Sequence, residues 1–471
     1  MRLAALAGLL ALTAATARGE APRAAMDRAA RPVYGRSVQI DPSYPYYRDR
    51  SPYSIAAEVR ANGYRVVHCI VTTDSLVDPV LVDALHREGM GVWYVTFGNG
   101  TYSRKDLPPD WPAWRMVTRT ELAGGRFDDG YTRLCLNNPA YRAWKKARIV
   151  DVLRRCGFDG VDIAEPHWPE YPGVESPAYA CFCTTCRAAF RRMFPDETEL
   201  PDVLDKDSAR SPGRNPRLWQ RWLRFRQASV TDFLNDLVNG PGGIRRSFPA
   251  VKVCTWTLAL TGPDGVRRVR EDSGEDAGEI VRVVRPDIHC LQTHWPDWMR
   301  ADLPATYVEA YKPFLAQIRE AAPAARLMIQ ADTGSRPANR RGRKWIAGFE
   351  EACARLGVES TTFYEYHIGE YAWAEPPRVA EVRRQRNEVE LLFTKRLDAH
   401  WAAQVERYAL APGTVTGIRV DGSIVRLSAR GLRDGDACAL TVRGIRDDPE
   451  RRLVKGGPPA VLEEQTIRFR Y

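Results

Sequence analysis

Outside its extreme N-terminus, the 471-residue sequence has no apolar run of the roughly 18 residues that a membrane-crossing helix needs, so no membrane span is expected. No nucleic-acid-binding motif is present. The formal charge of +10, from 69 basic and 59 acidic residues, is spread among acids rather than gathered in one block. No glycine-rich phosphate loop follows the first β-rich run, which argues against a doubly wound dinucleotide-binding sheet and implies no organic cofactor. Gln39-Ile40-Asp41-Pro42-Ser43 lacks the His-x-His of metal-dependent barrel hydrolases, so a catalytic zinc is not expected. Disorder and collagen-like structure are excluded by what is there: 44% of residues are hydrophobic and 10% aromatic, enough for packed cores.

Met1-Arg2 carries positive charge, residues 3–14 are mainly Leu and Ala, and Ala15-Thr16-Ala17 has a small-x-small pattern. Residues 1–17 therefore read as a cleaved secretory signal, residues 18–34 as a tether, and the protein as secreted or periplasmic. From Ser37 a β-rich run, a polar or aromatic loop and an amphipathic helix alternate. Strands are predicted over 37–40, 65–71, 91–96, 160–163, 251–256, 288–292, 327–330 and 360–364. Eight such units predict an α/β fold of the (β/α)8 TIM-barrel kind over 35–375, since one barrel absorbs about 250 residues or more. The charged run 376–411 reads as a linking helix with Leu391, Leu392, Phe393 and Leu397 on its apolar side. Over 412–471, short alternating runs separated by Asp421-Gly422, Asp434-Gly435 and Gly456-Gly457 read as a small β-sandwich-like domain.

In such a barrel, chemistry sits at the C-terminal ends of the strands. Gly160-Val161-Asp162-Ile163-Ala164-Glu165-Pro166-His167-Trp168 puts Glu165 at the end of the fourth strand, with Asp162 within it. Asp332 ends the seventh strand, and Glu365 follows the eighth between Tyr364 and Tyr366. Strand-end acids among aromatic rings fit glycosidic cleavage, where one carboxyl protonates the leaving oxygen and an ionised one attacks the anomeric carbon or activates water. Rings stack on the apolar faces of sugars; Tyr44, Tyr46, Tyr47, Phe97, Trp168, Trp256, Trp295, Trp298, Tyr364 and Trp373 supply them. Of the seven histidines, His167, His294 and His367 fall at strand ends and could bind sugar hydroxyls.

The blocks Cys135-Leu136-Asn137-Asn138-Pro139-Ala140-Tyr141, Gly157 to Pro166, and Cys181-Phe182-Cys183-Thr184-Thr185-Cys186-Arg187 resemble glycoside-hydrolase-like TIM-barrel families related to bacterial β-galactosidases of the family 42 type. Fourth strands in that clan end in Asn-Glu-Pro or a similar sequence; Glu165-Pro166 matches, while Ala164 stands where the Asn would be. The resemblance implies that Glu165 is the acid/base. It places the nucleophile on strand seven, where only Asp332 is offered, and Glu365 on strand eight is the other candidate. Three of the ten cysteines, Cys181, Cys183 and Cys186, lie within six residues and can converge on one ion. The family pattern implies Cys135 as fourth ligand of a structural zinc; in an oxidising compartment the same thiols could pair as disulfides instead. The expected function is hydrolysis of an oligo- or polysaccharide. The alternative is a catalytically degenerate barrel that binds carbohydrate.

Overall fold

A computed structural model of the chain describes residues 31–169, 173–385, 388–453 and 456–471. The predicted signal (1–17) and most of the tether lie outside the described residues. Eight parallel strands follow in order: β1 (Ser37–Ile40), β2 (Val66–Ile70), β3 (Gly91–Phe97), β4 (Gly160–Ala164), β5 (Lys252–Ala259), β6 (Ile288–Thr293), β7 (Leu327–Asp332) and β8 (Ser360–Tyr364). Each pairs with the next. A parallel bridge between Arg36 and Thr361, with Ser37 Oγ donating to Thr361 O, closes β8 onto β1. The strands are buried almost end to end, as parallel strands covered on both faces must be.

The crossover helices explain the predicted grammar. The helices α1 (Pro52–Ala61), α2 (Pro79–Arg87), α3 (Pro139–Cys156) and α4 (Pro216–Asn239) each start with a polar capping side chain, from Ser51, Asp78, Asn138 or Asn215, followed by proline. The cap satisfies an orphan N–H, and proline at the first helical position loses no hydrogen bond. No helix among the described residues is long and apolar enough to cross a membrane.

Two expectations are corrected. Residues 31–34 are not loose: Arg31 pairs with Asp159 at 2.9 Å, and Trp93 Nε1 donates to Val33 O at 2.9 Å under the barrel floor. The predicted linking helix over 376–411 is instead an antiparallel pair, β9 (Val379–Gln385) and β10 (Glu388–Phe393), followed by a one-turn helix, Ala399–Ala402, and β11 (Tyr408–Ala411). The run is charged because the face of β9 and β10 away from the sandwich core lies against the barrel, where Arg383 and Glu381 pair with Glu88 and Arg60 and Glu390 accepts from Tyr53 of α1. Val389 and Leu391 fill the sandwich core, and Leu392 packs instead on Ala57 of α1. With β12 (Thr414–Asp421), β13 (Ile424–Arg430), β14 (Ala437–Arg446) and β15 (Val461–Arg470) they form two antiparallel sheets, β9-β10-β13-β12 and β11-β14-β15. The sandwich is fixed to the barrel by polar contacts: Ser51 N donates to Asp421 at 2.8 Å, and Arg383 forks onto Glu88 at 2.8 and 3.0 Å.

Candidate active site

The rim above the barrel is built by two long loops, 98–138 after β3 and 165–215 after β4. Within the first, a two-residue ladder pairs Gly100–Thr101 with Thr132–Arg133 and so places Tyr102 and Tyr131, rings 4.6 Å apart, at the rim. Two adjoining cavities, about 420 and about 380 Å³, open there. Glu165, Gln292, Tyr102 and Trp298 line both.

Glu165 follows the last residue of β4. Strand alternation would turn it away from the axis, since Asp162 and Ala164 face the barrel interior. Its backbone instead lies in the left-handed region, φ 51°, which is costly for a non-glycine residue and returns the side chain to the cup. Gln292 Nε2 on β6 donates to Glu165 Oε1 at 3.0 Å. Pro166 then passes so close to Gly98 that any Cβ there would stand 2.7 Å from Pro166 Cα.

The inner cavity also holds Asp332 and Asp41. Asp332 accepts from Gly334 N at 2.8 Å, from Ser335 N at 2.9 Å and from the Ser335 hydroxyl. Burial outweighs those donors and raises its carboxyl above the ordinary aspartate value. Asp41 accepts from Ser43 N at 2.9 Å and is also raised by burial. Trp256, Phe97, Tyr44 and Tyr364 wall this cavity, the two tyrosine hydroxyls 2.6 Å apart. The outer cavity is lined by His167, His294, Trp295 and Tyr131. Burial, and next the Glu165 carboxylate, holds the Tyr131 phenol protonated.

Four residues predicted for the site are elsewhere. Glu365, 0% exposed, is enclosed behind the cup: Oε1 accepts from Asp41 N at 3.1 Å and from the Tyr47 hydroxyl, Oε2 from His367 N at 2.9 Å and from His367 Nδ1. His367 is therefore this carboxylate's partner within the packing, stacked on Tyr46 at 5.0 Å. Trp168, also 0% exposed, donates to Arg226 O at 2.9 Å beneath the long loop. Asp162 lies inside the barrel, below the cup, where it accepts from Trp256 Nε1 at 3.0 Å and meets His68 Nδ1 at 2.7 Å. It touches the wall of the cup only through Trp256. Asp41, Gln292, Tyr102 and Tyr131 were not foreseen. Asp41-Pro42 after β1 carries the same strand-end acid and proline as Glu165-Pro166; the other three have no local signature.

All ten cysteines are free. The Sγ atoms of Cys135, Cys181, Cys183 and Cys186 lie within 4.8 Å of one another, with Cys135 3.6 Å from Cys183 and 3.4 Å from Cys186. A tetrahedral zinc with Zn–S near 2.3 Å has S–S edges of roughly 3.8 Å, so the four thiols could hold a metal ion. Val117 N and Cys186 N donate to Cys181 and Cys183 at 3.4 Å each, the kind of support thiolates need. The cluster ties the loop that carries Tyr131 and Arg133 to the loop that follows Glu165.

No family model matches the chain, and no curated protein matches it. Solved structures do. The PgaB (BpsB) glycoside hydrolase domain from Bordetella bronchiseptica is 16% identical over 71% of this chain and 94% of its own, with a TM-score of 0.51. A cold-adapted β-galactosidase from Rahnella sp. R3 is 15% identical over 70% of this chain and 50% of its own, at 0.49. An endo-β-1,4-mannanase from Thermotoga petrophila is 10% identical over 93% and 98%, at 0.39. At such identities the likeness is one of fold: the chain is a (β/α)8 barrel with a β-sandwich-like C-terminal domain.

Proposed function

We propose that the cup hydrolyses a glycosidic bond of an oligo- or polysaccharide, with Glu165 as proton donor and Asp332 as its ionised partner. The observation that carries this reading is that Glu165 lines both cavities while Asp332 lines the inner one alone. A glycosidic oxygen bridges two sugar units, so the group that protonates it must reach the boundary between their sites. The group that attacks the anomeric carbon, or activates water there, belongs under one sugar only. Three donors on Asp332 offset part of the rise that burial imposes, and a carboxylate with four lone-pair sites can accept them and still face the cup. Asp41 and the paired hydroxyls of Tyr44 and Tyr364 are left to hold sugar hydroxyls, with Trp256 as an apolar wall.

The four-cysteine cluster would hold a zinc that pins the rim. It lies outside the cup and takes no part in the chemistry. The N-terminal segment is consistent with export to the periplasm or beyond.

Release of reducing ends from neutral and charged oligosaccharides tests the reading. Glu165→Gln and Asp332→Asn should each lower turnover by about 10²–10⁴ while binding persists. Sugar binding with no release by the unaltered protein would leave the barrel a carbohydrate-binding module.

A further inference from the structure

Beyond Tyr131 the outer cavity runs into a second, narrower groove of about 70 Å³, to which both Tyr131 and Arg133 belong. Its wall carries four arginines, Arg104, Arg115, Arg126 and Arg133, against one acid, Asp128. These guanidinium groups are not equally engaged. Arg133 forks onto Asp129 at 2.8 Å through both amino nitrogens, and Arg115 pairs with Glu121 at 2.7 Å. Arg126 reaches Asp128 only at 3.8 Å and is 88% exposed. Arg104 pairs with no carboxylate among the described residues; it donates to Thr132 Oγ1 at 2.8 Å and lies over the Trp111 ring at 5.2 Å. Aromatic faces stand beside the charges, with Tyr131 at the junction and Trp111 in the groove wall.

We infer that this groove is a binding subsite for a negatively charged sugar unit, so that the substrate is an acidic glycan carrying carboxylate or sulfate groups on units outside the cleaved pair. The inference rests on the saccharide reading of the cup and extends it. A ring stacks on Trp111 or Tyr131, and its anion takes charge-assisted hydrogen bonds from Arg104 and Arg126. The cup supplies the opposite rule. Asp41, Glu165 and Asp332 crowd acidic oxygens around the reacting unit, where a second anion would be repelled. The charged unit is thereby displaced toward the arginines, which sets its position along the chain as well as its sign. A net charge of +10 favours the approach of such a polymer.

The test is equilibrium binding at low salt to the full chain carrying Glu165→Gln, which keeps the ligand intact. Three hexasaccharides serve as probes: oligogalacturonate (carboxylate only), κ-carrageenan oligomer (sulfate only) and uncharged galactan. At least one anionic probe should bind roughly tenfold more tightly than galactan. Adding Arg104→Gln and Arg126→Gln should erase that preference. Adding Arg468→Gln and Arg470→Gln, an equal loss of charge on the last strand of the sandwich, should preserve it. A gain with only one anionic probe identifies the source of the anion. Equal affinity for all three probes, no binding to any, or a preference that survives the groove substitutions would overturn the inference. Because binding is read without turnover, a failure of the hydrolytic reading shows up separately, as intact binding with no cleavage by the unaltered protein.

Discussion

Replacing Glu365 by glutamine separates architecture from chemistry at the barrel mouth. Each carboxylate oxygen accepts two donors: Asp41 N and the Tyr47 hydroxyl on Oε1, and the N and Nδ1 of His367 on Oε2. Glutamine turns one oxygen into an N–H2 group, so two buried donors lose their acceptor. At about 1–3 kcal/mol for each unsatisfied buried donor, the expected loss is about 4 kcal/mol. Urea unfolding followed by tryptophan fluorescence should show the midpoint falling accordingly. The folded fraction should keep kcat/KM within about tenfold, far from the 10²–10⁴ of a missing acid or base. An unchanged midpoint with a rate loss of about 10³ or more would refute this and return Glu365 to the mechanism.

Other predictions follow from burial, charge and sulfur. Trp168→Ala should cost about 3–5 kcal/mol of stability, whereas Trp298→Ala, on the cavity wall, should raise KM with little change in the unfolding midpoint. Metal analysis should find about one zinc per chain; chelation should expose the 98–138 loop to protease, while less than about half an equivalent, with disulfides seen by mass spectrometry, would contradict the site. Because the Asp332 carboxyl is raised by burial, it ionises only at a higher pH than an ordinary aspartate, and the acidic limb of kcat/KM should move up with it. The same shift means the protonated form is favoured on folding, so its stabilising effect is full at low pH and lost as pH rises through the raised value. Asp332→Asn, which lowers turnover by about 10²–10⁴, should therefore leave the protein as stable or more stable at neutral pH, the difference vanishing in acid.

The barrel was legible because its parallel strands are covered on both faces, so each appears in the sequence as a short apolar run between capped helices. Glu165 was legible from strand end and proline together, and Asp41 carries the same pair at β1. Glu365 misled because proximity to a strand end does not settle which way a side chain turns. Tyr364 faces the cup, while Glu365, one residue past the end of β8, is held behind it by Asp41 N, the Tyr47 hydroxyl and His367 N. Glu165 escapes the same fate only through its left-handed backbone, a feature that no composition or spacing reveals. Trp168 is misplaced for a related reason, since an aromatic residue beside a site is as useful for supporting it as for lining it, whereas Asp162, within its strand, faces the barrel interior and holds the Trp256 ring. The β9–β10 pair reads as helix in the sequence because its barrel-facing side carries ion-paired Glu381, Arg383 and Glu390 where an apolar face would show the alternation.

Dependence on the leaving group tests the central claim most directly, measured as kcat/KM for Glu165→Gln on matched glycosides. A 2,4-dinitrophenyl glycoside needs no protonation to depart, whereas a sugar or alkyl leaving group does. The account predicts that Glu165→Gln nearly spares the first and slows the second by about 10²–10⁴, while Asp332→Asn slows both. Equal losses on both glycosides in Glu165→Gln, or none on either, would contradict it.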